Sequence, residues 1–377
     1  MAIIFIPGIK ATALSNINSF DYNLMYNNYD TLGGAISSTA LGVRFDEQLQ
    51  LNPKYDYSSG TIIERNHIMT YPYKNSMNDI NDYTGELIYL FGYDWRKSNV
   101  DNAVELSRFI ENLKGKLGET SFSFITHSMG AMIMGCYLKS LNENYSIIKK
   151  IVYTAPPFRG GLEAIKHMAL GNGGLRGFLN MDEGSRKAIR TYPAIYELAP
   201  WYNGAVTNAA GDKSLDLTAQ GHWQTSIWDD LTELFDNRIQ SMKDFRDNQF
   251  MDLNTLPAEL KSRIIIVAGK GSDTMQSVKL LPDPEKADIL YFDFKGGDHS
   301  DDGDSTVPLS SSTIYKDTIK TFVVDRGSLF HEGLTTVSYH ALFLTHSKVL
   351  NIVKRFLKGN TQDNDWFKSI GDDVKLA

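Results

Sequence analysis

The most constraining feature of this sequence is an apolar run that ends in a glycine-containing turn and passes at once into a helical pattern. Residues 121–125 have the composition of a buried strand, and the turn His127-Ser-Met-Gly130 follows directly. Apolar residues then recur with helical spacing from about residue 129 to residue 141. A serine on such a strand-to-helix turn has a strained backbone, which raises its hydroxyl above the edge of the sheet. The pattern therefore predicts Ser128 as a candidate nucleophile.

This turn departs from the usual Gly-x-Ser-x-Gly pattern at its first position, where Thr126 replaces glycine. That position packs closely against the neighbouring backbone, so a β-branched side chain fits it more tightly. We expect either a slightly widened turn or a small residue opposite Thr126. A serine in this place can also simply cap a helix, and the five-residue pattern alone does not separate a cap from a nucleophile.

Strand-like and helix-like segments alternate over much of the chain, which predicts an α/β fold with a mostly parallel sheet flanked by helices. Residues from about 160 to 257 break this rhythm with glycine clusters, aromatic residues and helical pieces. We expect them to form a mainly helical cap or lid inserted into the sheet domain. The predicted division is core residues 1–158, cap residues 159–260 and core residues 261–377. The predicted strands are Ala2–Ile6, Leu87–Phe91, 121–125, Lys150–Ala155, Arg263–Ala268, Ile289–Asp293 and Lys320–Val324, and the helices outside the cap are Val100–Leu117, 129–141 and Val337–Leu357.

Composition and charge exclude several classes of protein. The chain has 377 residues, enough for a large core, and a formal net charge of −7 without a basic block, so no nucleic-acid partner is expected. Its single cysteine, Cys136, cannot form an intramolecular disulfide and is expected to be a buried core thiol. The sequence contains neither a signal-peptide pattern nor a transmembrane run, so the expected location is cytoplasmic. No cofactor and no metal are expected, and the oligomeric state is left open.

A serine nucleophile needs a histidine base and a carboxylate to orient that base, and in the α/β-hydrolase fold they follow the serine in the order acid, then histidine. The acid candidate is Asp304, within Gly303-Asp-Ser-Thr-Val-Pro308, in a loop expected at the carboxyl end of the sheet. Asp298, Asp301 and Asp302 lie nearby and are alternatives, with a solvated acidic loop as the simpler interpretation. A calcium site in this loop stays open, although the spacing does not match an EF-hand.

The base candidate is His340, which lies just before the terminal helical pattern. His331, in the preceding loop, is the alternative, and His346 is expected to face solvent from within the helix. The backbone N–H groups of Ile9 and Met129 are expected to form the oxyanion hole, since Pro7-Gly8 ends the first strand and glycine permits close backbone approach. Pro7-Gly8 can equally be a plain strand-ending turn.

Several motifs, in this order, resemble the lecithin:cholesterol acyltransferase-like family of α/β-hydrolases. The motifs are Phe5-Ile-Pro-Gly8, Tyr93-Asp-Trp-Arg96, His127-Ser-Met-Gly130, Pro156-Pro-Phe-Arg-Gly-Gly161, Tyr192-Pro-Ala-Ile-Tyr-Glu-Leu-Ala-Pro200, Gly303-Asp-Ser-Thr-Val-Pro308 and His340 before a terminal helix. The resemblance implies a Ser128, Asp304 and His340 triad, action on acyl esters of lipids, a lid formed by the cap, and substrates often held at a membrane or lipid surface. Members of the family are commonly secreted, lysosomal or membrane-anchored and often contain disulfides, whereas this sequence suggests a relative in a reducing compartment.

Asp94-Trp95-Arg96 is expected to organise the loop beside the active site, with Arg96 paired to Asp94 or to a loop carboxylate rather than to substrate. Candidate substrate contacts are Trp95, Trp201 and Trp223, and a packed cap core is the alternative explanation for the tryptophans of the cap. The glycine cluster at residues 171–177 is interpreted as a hinge or a plain turn.

Three functional hypotheses follow from these residues. The first is a serine hydrolase that cleaves carboxylic esters, of lipase or phospholipase type. The second is acyl transfer, in which an alcohol replaces water on the same triad. The third is a binding protein of hydrolase fold that has lost catalysis, for which Thr126 is the one supporting feature.

Overall fold

A central sheet of seven strands organises the protein. The computed structural model describes residues 2–12, 14–15, 58–59, 70–170, 183–231, 233–327, 338–360, 365–371 and 374–377. The strands of the central sheet are β1 (Ala2–Ile6), β2 (Leu87–Leu90), β3 (Phe122–His127), β4 (Ile148–Thr154), β6 (Ile264–Lys270), β11 (Lys320–Asp325) and β12 (Val374–Leu376). The smaller strands are β5 (Val206–Thr207), β7 (Thr274–Met275), β8 (Val278–Pro282), β9 (Leu290–Asp293) and β10 (His299–Ser300), and Leu14–Ser15 pairs with Ser58–Ser59.

Helices connect these strands and cover the sheet. They are α1 (Thr70–Thr84), α2 (Asn99–Leu117), α3 (Gly130–Ser140), α4 (Leu162–Leu170), α5 (Glu183–Arg190), α6 (Pro193–Glu197), α7 (Thr225–Asp229), α8 (Glu233–Asp244), α9 (Ala258–Lys261), α10 (Leu309–Ser312), α11 (Tyr339–Leu342) and α12 (Ser347–Lys358). Single turns of 3₁₀ or π-helix occur at Tyr145–Ile147, Gln220–His222, Phe245–Gln249, Leu253–Thr255, Phe343–Thr345 and Trp366–Ile370.

The central sheet has the order β12-β11-β6-β4-β3-β1-β2, and all pairs are parallel except the β11–β12 edge pair. Its inner strands are continuous apolar runs because both faces are covered by helices. In β1, Ile4 and Ile6 belong to one buried cluster, while Ile3 and Phe5 belong to a second cluster on the opposite face. The predicted mostly parallel sheet with flanking helices is therefore confirmed.

The parallel arrangement brings the carboxyl ends of β1, β3 and β4 to one edge. In register, Ile6 lies beside Thr126 and His127 lies beside Thr154. The loops that leave these three strands therefore start next to one another. This edge is where an open α/β sheet places its ligand-binding residues.

Within the segment predicted as a cap, the described residues form helices α4 to α8 and the short strand β5. Strand β5 pairs with β8, which in turn pairs with β9, so this small sheet joins strands from both sides of the predicted boundary at residue 260. The glycine cluster interpreted as a hinge falls within residues 171–182, outside the described residues.

The end of the chain differs from prediction in three respects. The continuous helix predicted over Val337–Leu357 is divided into α11, a 3₁₀ turn and α12. The prediction that His346 faces solvent is wrong, because the residue is buried and its Nδ1 accepts the Lys348 N–H, so it caps α12. Strand β12 then adds an antiparallel edge that the sequence did not indicate, because three residues are too few for a periodic pattern.

No helix in the described part of the chain combines the length and hydrophobicity needed to cross a bilayer.

Gly130 is a position where a side chain is incompatible with this packing, and its substitution tests the close approach of the two backbones. A Cβ there would lie 2.3 Å from the Ile6 carbonyl oxygen and 2.8 Å from that of Pro7, both backbone atoms. We expect Gly130→Ala to lower the free energy of unfolding by about 2–3 kcal/mol, as overpacking does. Urea unfolding monitored by circular dichroism measures the change.

Gly115 in α2 is the matched control, because a Cβ added there would have no other atom within 4 Å. Gly115→Ala should raise the free energy of unfolding by up to about 1 kcal/mol, the helix-propensity gain of alanine. Equal effects of the two substitutions would contradict the backbone contact at Gly130.

Candidate active site

Ser128 occupies a strained turn between β3 and α3. Its φ angle is +53°, a left-handed conformation that a non-glycine residue adopts at a cost of about 1–3 kcal/mol. The Ser128 N–H donates to the carbonyl oxygen of Thr154 at 3.0 Å, and the residue is 7% exposed. The turn therefore holds the serine hydroxyl at the carboxyl edge of the sheet, as the sequence pattern predicts.

Two glycines make this close packing possible. Gly130 has no Cβ to collide with the backbone at the end of β1. Gly8, in the loop after β1, lies so close that a Cβ on it would be 3.1 Å from Ser128 Cβ and 3.3 Å from His127 Nδ1. The loop after β1 therefore runs directly alongside the serine.

Thr126 occupies the first position of the turn without disturbing the sheet. It pairs in regular register with Ile6 on β1 and with Tyr153 on β4, so the strand is not widened there. The residue without a side chain is Gly8, two positions beyond Ile6, which accommodates His127 and Ser128. Within the described residues, the buried Thr126 hydroxyl has no hydrogen-bond partner.

The structure brings together the three residues predicted as a triad. Ser128 Oγ lies 2.8 Å from His340 Nε2, and His340 Nδ1 lies 2.7 Å from Asp304 Oδ2. Because a carboxylate only accepts, Nδ1 carries the hydrogen and Nε2 of the neutral ring accepts the serine hydroxyl. The other carboxylate oxygen, Asp304 Oδ1, accepts the backbone N–H groups of Thr306 at 3.1 Å and Val307 at 2.8 Å.

Three of the alternative residues make contacts elsewhere, and a fourth lies outside the described residues. Asp298 bonds to Ser277, and Asp302 pairs with Lys270 at 2.9 Å on the surface. His346 caps α12, where its Nδ1 accepts the Lys348 N–H. His331 falls within residues 328–337, outside the described part of the chain.

The two backbone N–H groups predicted to form an oxyanion hole belong to Ile9 and Met129. Met129 directly follows the serine, and Ile9 follows Gly8, which lies against it. Among the described residues, neither amide donates a hydrogen bond to another group. An unpaired buried N–H is rare in proteins, so the free amide of the fully buried Met129 suits a ligand oxygen.

Backbone strain concentrates at this edge of the sheet. Of the six non-glycine residues with positive φ among those described, four lie in loops that follow strands around Ser128: Lys10 after β1, Ser128 after β3, Ala155 after β4 and Ser305 beside Asp304. Strained backbone of this kind collects at functional sites, where surrounding contacts hold it in place. The strain therefore marks the same region as the serine–histidine–aspartate contacts.

The predicted substrate contacts occupy three different environments. Trp95 is buried, and its indole N–H donates to the Thr12 carbonyl oxygen at 3.1 Å. Trp223 is 0% exposed and packs against Tyr196, Phe235 and Phe292, so it offers no surface to a ligand in this conformation. This is the packed core that was the alternative explanation for Trp223.

Trp201 is partly exposed and lies between two arginines. The guanidinium carbon of Arg159 is 4.0 Å from the indole centroid and that of Arg246 is 5.5 Å from it. The backbone N–H of Trp201 also donates to the Arg159 carbonyl oxygen at 3.0 Å. These contacts tie the loop after β4 to the segment after α6 through cation–π attraction.

Asp94 and Arg96 form the buried ion pair expected from the sequence. Arg96 Nε donates to Asp94 Oδ1 at 2.9 Å and its terminal nitrogen donates to Oδ2 at 2.6 Å, a two-point contact. Asn102, in α2, donates to the Asp94 carbonyl oxygen at 3.0 Å. The pair therefore shapes the loop between β2 and α2.

Glu197, the last residue of α6, is buried against the start of α2. Its Oε2 accepts both the backbone N–H and the side-chain amide of Asn99 at 2.7 Å, and its Oε1 accepts the Ser98 hydroxyl. Burial raises the pKa of Glu197 to about 7, because lost hydration outweighs these hydrogen bonds. One carboxyl group therefore joins the predicted cap to the first turn of α2.

Two residues at the site were not singled out from the sequence. His127 contacts both Tyr73 and His340 through its ring nitrogens. His127 could have been noticed as the neighbour of the serine, but Tyr73 lies 54 residues earlier in the chain and only the packing of α1 places it here.

No group of three histidine, cysteine, aspartate or glutamate side chains suited to a metal ion occurs among the described residues.

Comparison with known proteins supports the resemblance inferred from the motifs. Residues 75–240 match the family model described as Lecithin:cholesterol acyltransferase. The chain is 27% identical over 124 residues to "Lecithin-cholesterol acyltransferase-like 4" of Arabidopsis thaliana, a match that covers 30% of this chain and 23% of that protein. The match thus spans about a quarter of the length of that curated relative. The predicted resemblance to this family is confirmed.

Comparison of structures extends over nearly the whole chain. A chain of the Tle4–Tli4 complex matches with a TM-score of 0.58 at 15% identity, covering 97% of this chain and 99% of that chain. The mature Bacillus licheniformis lipase BlEst2 matches with a TM-score of 0.41 at 11% identity, covering 98% and 91%. The predicted α/β-hydrolase fold is confirmed.

Because the buried hydroxyl of Thr126 is unpaired, we expect its replacement by an apolar group to stabilise the protein. Thr126→Val removes a buried donor without a partner, so we expect the free energy of unfolding to rise by about 1 kcal/mol. Thr154→Val is the matched control, because that equally buried hydroxyl donates to the Thr126 carbonyl oxygen at 2.6 Å. Its loss should lower the free energy of unfolding by about 1 kcal/mol, measured by urea unfolding. Opposite signs are expected, and destabilisation by both substitutions would contradict the assignment at Thr126.

Because Glu197 is buried with a raised pKa, we expect the free energy of unfolding to depend on pH. Its pKa is about 7 in the folded protein against the ordinary 4.5, so between these pH values the folded state binds more protons than the unfolded state. The free energy of unfolding should therefore contain a contribution of roughly 3 kcal/mol that is present below pH 4.5 and lost as the pH rises through 7. Glu197→Gln removes it and should flatten the pH dependence.

The measurement is urea unfolding of both proteins at pH 5 and pH 8. Glu259→Gln is the control, because that side chain is 88% exposed. If Glu197→Gln kept the full pH dependence of the parent protein, the assignment to Glu197 would be wrong.

Proposed function

We propose that this protein is a serine hydrolase that cleaves carboxylic esters of lipids through Ser128, His340 and Asp304. The observation that carries the proposal is the contact of a strained serine with a histidine that is itself held by a buried carboxylate. A helix-capping serine needs none of these features. Nucleophile, base and orienting acid lie at hydrogen-bond distance in the order required for acyl transfer.

In the first half of the reaction, Ser128 Oγ attacks the ester carbonyl carbon and its proton passes to His340 Nε2. The negative charge that develops on the carbonyl oxygen is stabilised by the N–H groups of Ile9 and Met129. As the carbon–oxygen bond of the leaving group breaks, His340 returns the proton and the alcohol departs. An acyl group then remains on Ser128.

Water completes the reaction by the same route. His340 accepts a proton from water as the oxygen attacks the acyl carbon, and then returns a proton to Ser128 Oγ as the carboxylic acid is released. Asp304 holds Nδ1–H throughout and stabilises the positive charge on the ring. Two backbone N–H groups on Asp304 Oδ1 stabilise the carboxylate during this step.

The lipid class of the substrate is supported by the family match rather than by a ligand. We propose that residues 159–260 act as a cap over the acyl chain, with the partly exposed Trp201 as one of its contacts to substrate. The cap is joined to the core by Glu197, whose carboxyl group accepts hydrogen bonds from Ser98 and Asn99. A transient lipid surface is the proposed partner.

Substitution within the triad tests the chemistry. Ser128→Ala should lower kcat/KM on p-nitrophenyl esters by at least about 10⁴-fold and abolish labelling by a fluorophosphonate, since no other group here replaces the nucleophile. Asp304→Asn should lower kcat by about 10³- to 10⁴-fold, because the amide stabilises the wrong tautomer of His340. Asp302→Asn is the matched control and should keep full activity, since Asp302 pairs with Lys270 on the surface. No labelling of the native protein, or equal labelling of Ser128→Ala, would contradict the proposal.

Chain-length preference tests the substrate class. Initial rates on p-nitrophenyl esters from acetate to palmitate, with and without phospholipid vesicles, should rise with acyl length and with vesicles. Activity confined to acetate and butyrate would identify an esterase of small substrates instead. Acyl products on an added alcohol at low concentration would show transfer rather than hydrolysis.

A further inference from the structure

The side chain of His127 links the nucleophile to the backbone of the base. His127 Nε2 lies 3.0 Å from the backbone carbonyl oxygen of His340, and His127 Nδ1 lies 2.6 Å from the Tyr73 hydroxyl. All three residues are buried. His127 directly precedes Ser128, so this contact connects the strand that carries the nucleophile with the segment that carries the base.

The two contacts determine the form of the His127 ring. A carbonyl oxygen only accepts, so Nε2 must carry a hydrogen and donate it. In the neutral ring Nδ1 then accepts, and the Tyr73 hydroxyl donates to it. The bond to His340 thus requires the Nε2–H tautomer, and Tyr73 stabilises that tautomer by donating to Nδ1, the ring nitrogen that carries no hydrogen.

His127 remains neutral in this environment. Burial is the main cause that holds its pKa well below the ordinary 6.5, and the charge of the nearby His340 lowers the pKa further, against the opposing effect of the hydrogen bond to the His340 carbonyl. The two rings lie with centroids 5.1 Å apart. Both ring nitrogens of His127 are engaged by Tyr73 and by the His340 carbonyl, so neither contacts the ring nitrogen of His340 that faces Ser128.

His340 needs such a support because its own helix is short. Helix α11 has four residues, and the N–H of Phe343, the residue after the helix, donates to the His340 carbonyl oxygen. Asp304 holds the ring from the Nδ1 side, but a ring held at one atom can still shift with its backbone. The bond from His127 restrains that backbone from the strand on which Ser128 itself is built.

We propose that His127 is a positioning residue, which with Tyr73 holds the backbone of His340 so that Nε2 stays within hydrogen-bond distance of Ser128 Oγ. This inference rests on the proposed function, because positioning matters only if Ser128 and His340 react. Its physical basis is that a misplacement of about 1 Å in a reacting group can lower a rate by about 100-fold.

Four variants test the proposal. His127→Leu removes both contacts, whereas His127→Gln keeps one donor for the His340 carbonyl and one acceptor for Tyr73. Tyr73→Phe leaves His127 without its donor, and the double variant Tyr73→Phe/His127→Leu removes the whole link. Each is assayed for kcat, KM, rate of fluorophosphonate labelling and melting temperature.

For His127→Leu we expect kcat and the labelling rate to fall by about 10- to 100-fold while KM changes by less than about twofold. His127→Gln should recover kcat to within about fivefold of the native protein, since the donor is restored. Tyr73→Phe should lower kcat by about two- to fivefold, and the double variant should match His127→Leu because Tyr73 acts through His127. Native kcat in a folded His127→Leu variant, or equal losses in His127→Leu and His127→Gln, would overturn the proposal.

A spectroscopic measurement separates this inference from the proposed function. Long-range ¹H–¹⁵N correlation spectra of histidine-labelled native protein, with His127 assigned from the His127→Gln variant, should show a neutral Nε2–H ring from pH 5 to pH 8. A ring that titrates near 6.5 or carries its hydrogen on Nδ1 would overturn the inference even if the enzyme is active. A native protein that neither hydrolyses esters nor reacts with the probe would instead overturn the proposed function, whatever the tautomer of His127. If His127→Leu does not fold, the comparison of Tyr73→Phe, His127→Gln and this spectrum still decides the question.

Discussion

The site depends on one close approach between backbones, where the turn around Ser128 meets the end of β1. Gly130 lies against the carbonyl oxygens of Ile6 and Pro7, and Gly8 lies against Ser128 itself. Larger residues at either place would separate the two segments. Because these glycines let the segments touch, the turn holds Ser128 in a left-handed conformation directly beside the loop that follows β1.

The remaining groups reach this turn from distant parts of the chain. His340 is 212 residues from Ser128, and it is held by Asp304 at the ring and by His127 at the backbone. The parallel sheet makes this convergence possible, because it collects the carboxyl ends of its strands at one edge. Hydrogen bonds at that edge then set the distances between Ser128, His340 and Asp304. These bonds join segments that follow different strands.

Much of this arrangement could be predicted from local patterns. The strand β1 is confirmed with its predicted bounds, and the sheet, the helices after β2 and β3, and the buried pair of Asp94 and Arg96 are confirmed with small shifts at their ends. Predictions failed where a local pattern had several solutions. The apolar spacing over residues 337–357 fits one long helix, but the packing of α1 and the cap formed by His346 divide it. Trp223 shows the same limit, because sequence identifies a large aromatic residue but not whether its side chain is buried in a core or available to a ligand.

The amino-acid sequence alone indicates which residues can form strands and helices, where a serine meets a strand-to-helix turn, and the order in which an acid and a histidine follow it. Periodicity and turn residues act over a few positions, so these properties can be predicted from the residues themselves. The three-dimensional fold decides that His340 contacts Ser128 and that Asp304 contacts His340. It also places Tyr73 against His127, and His127 against the carbonyl oxygen of His340. Those contacts depend on distances between segments far apart in the chain, and packing of the helices on the sheet is what sets such distances.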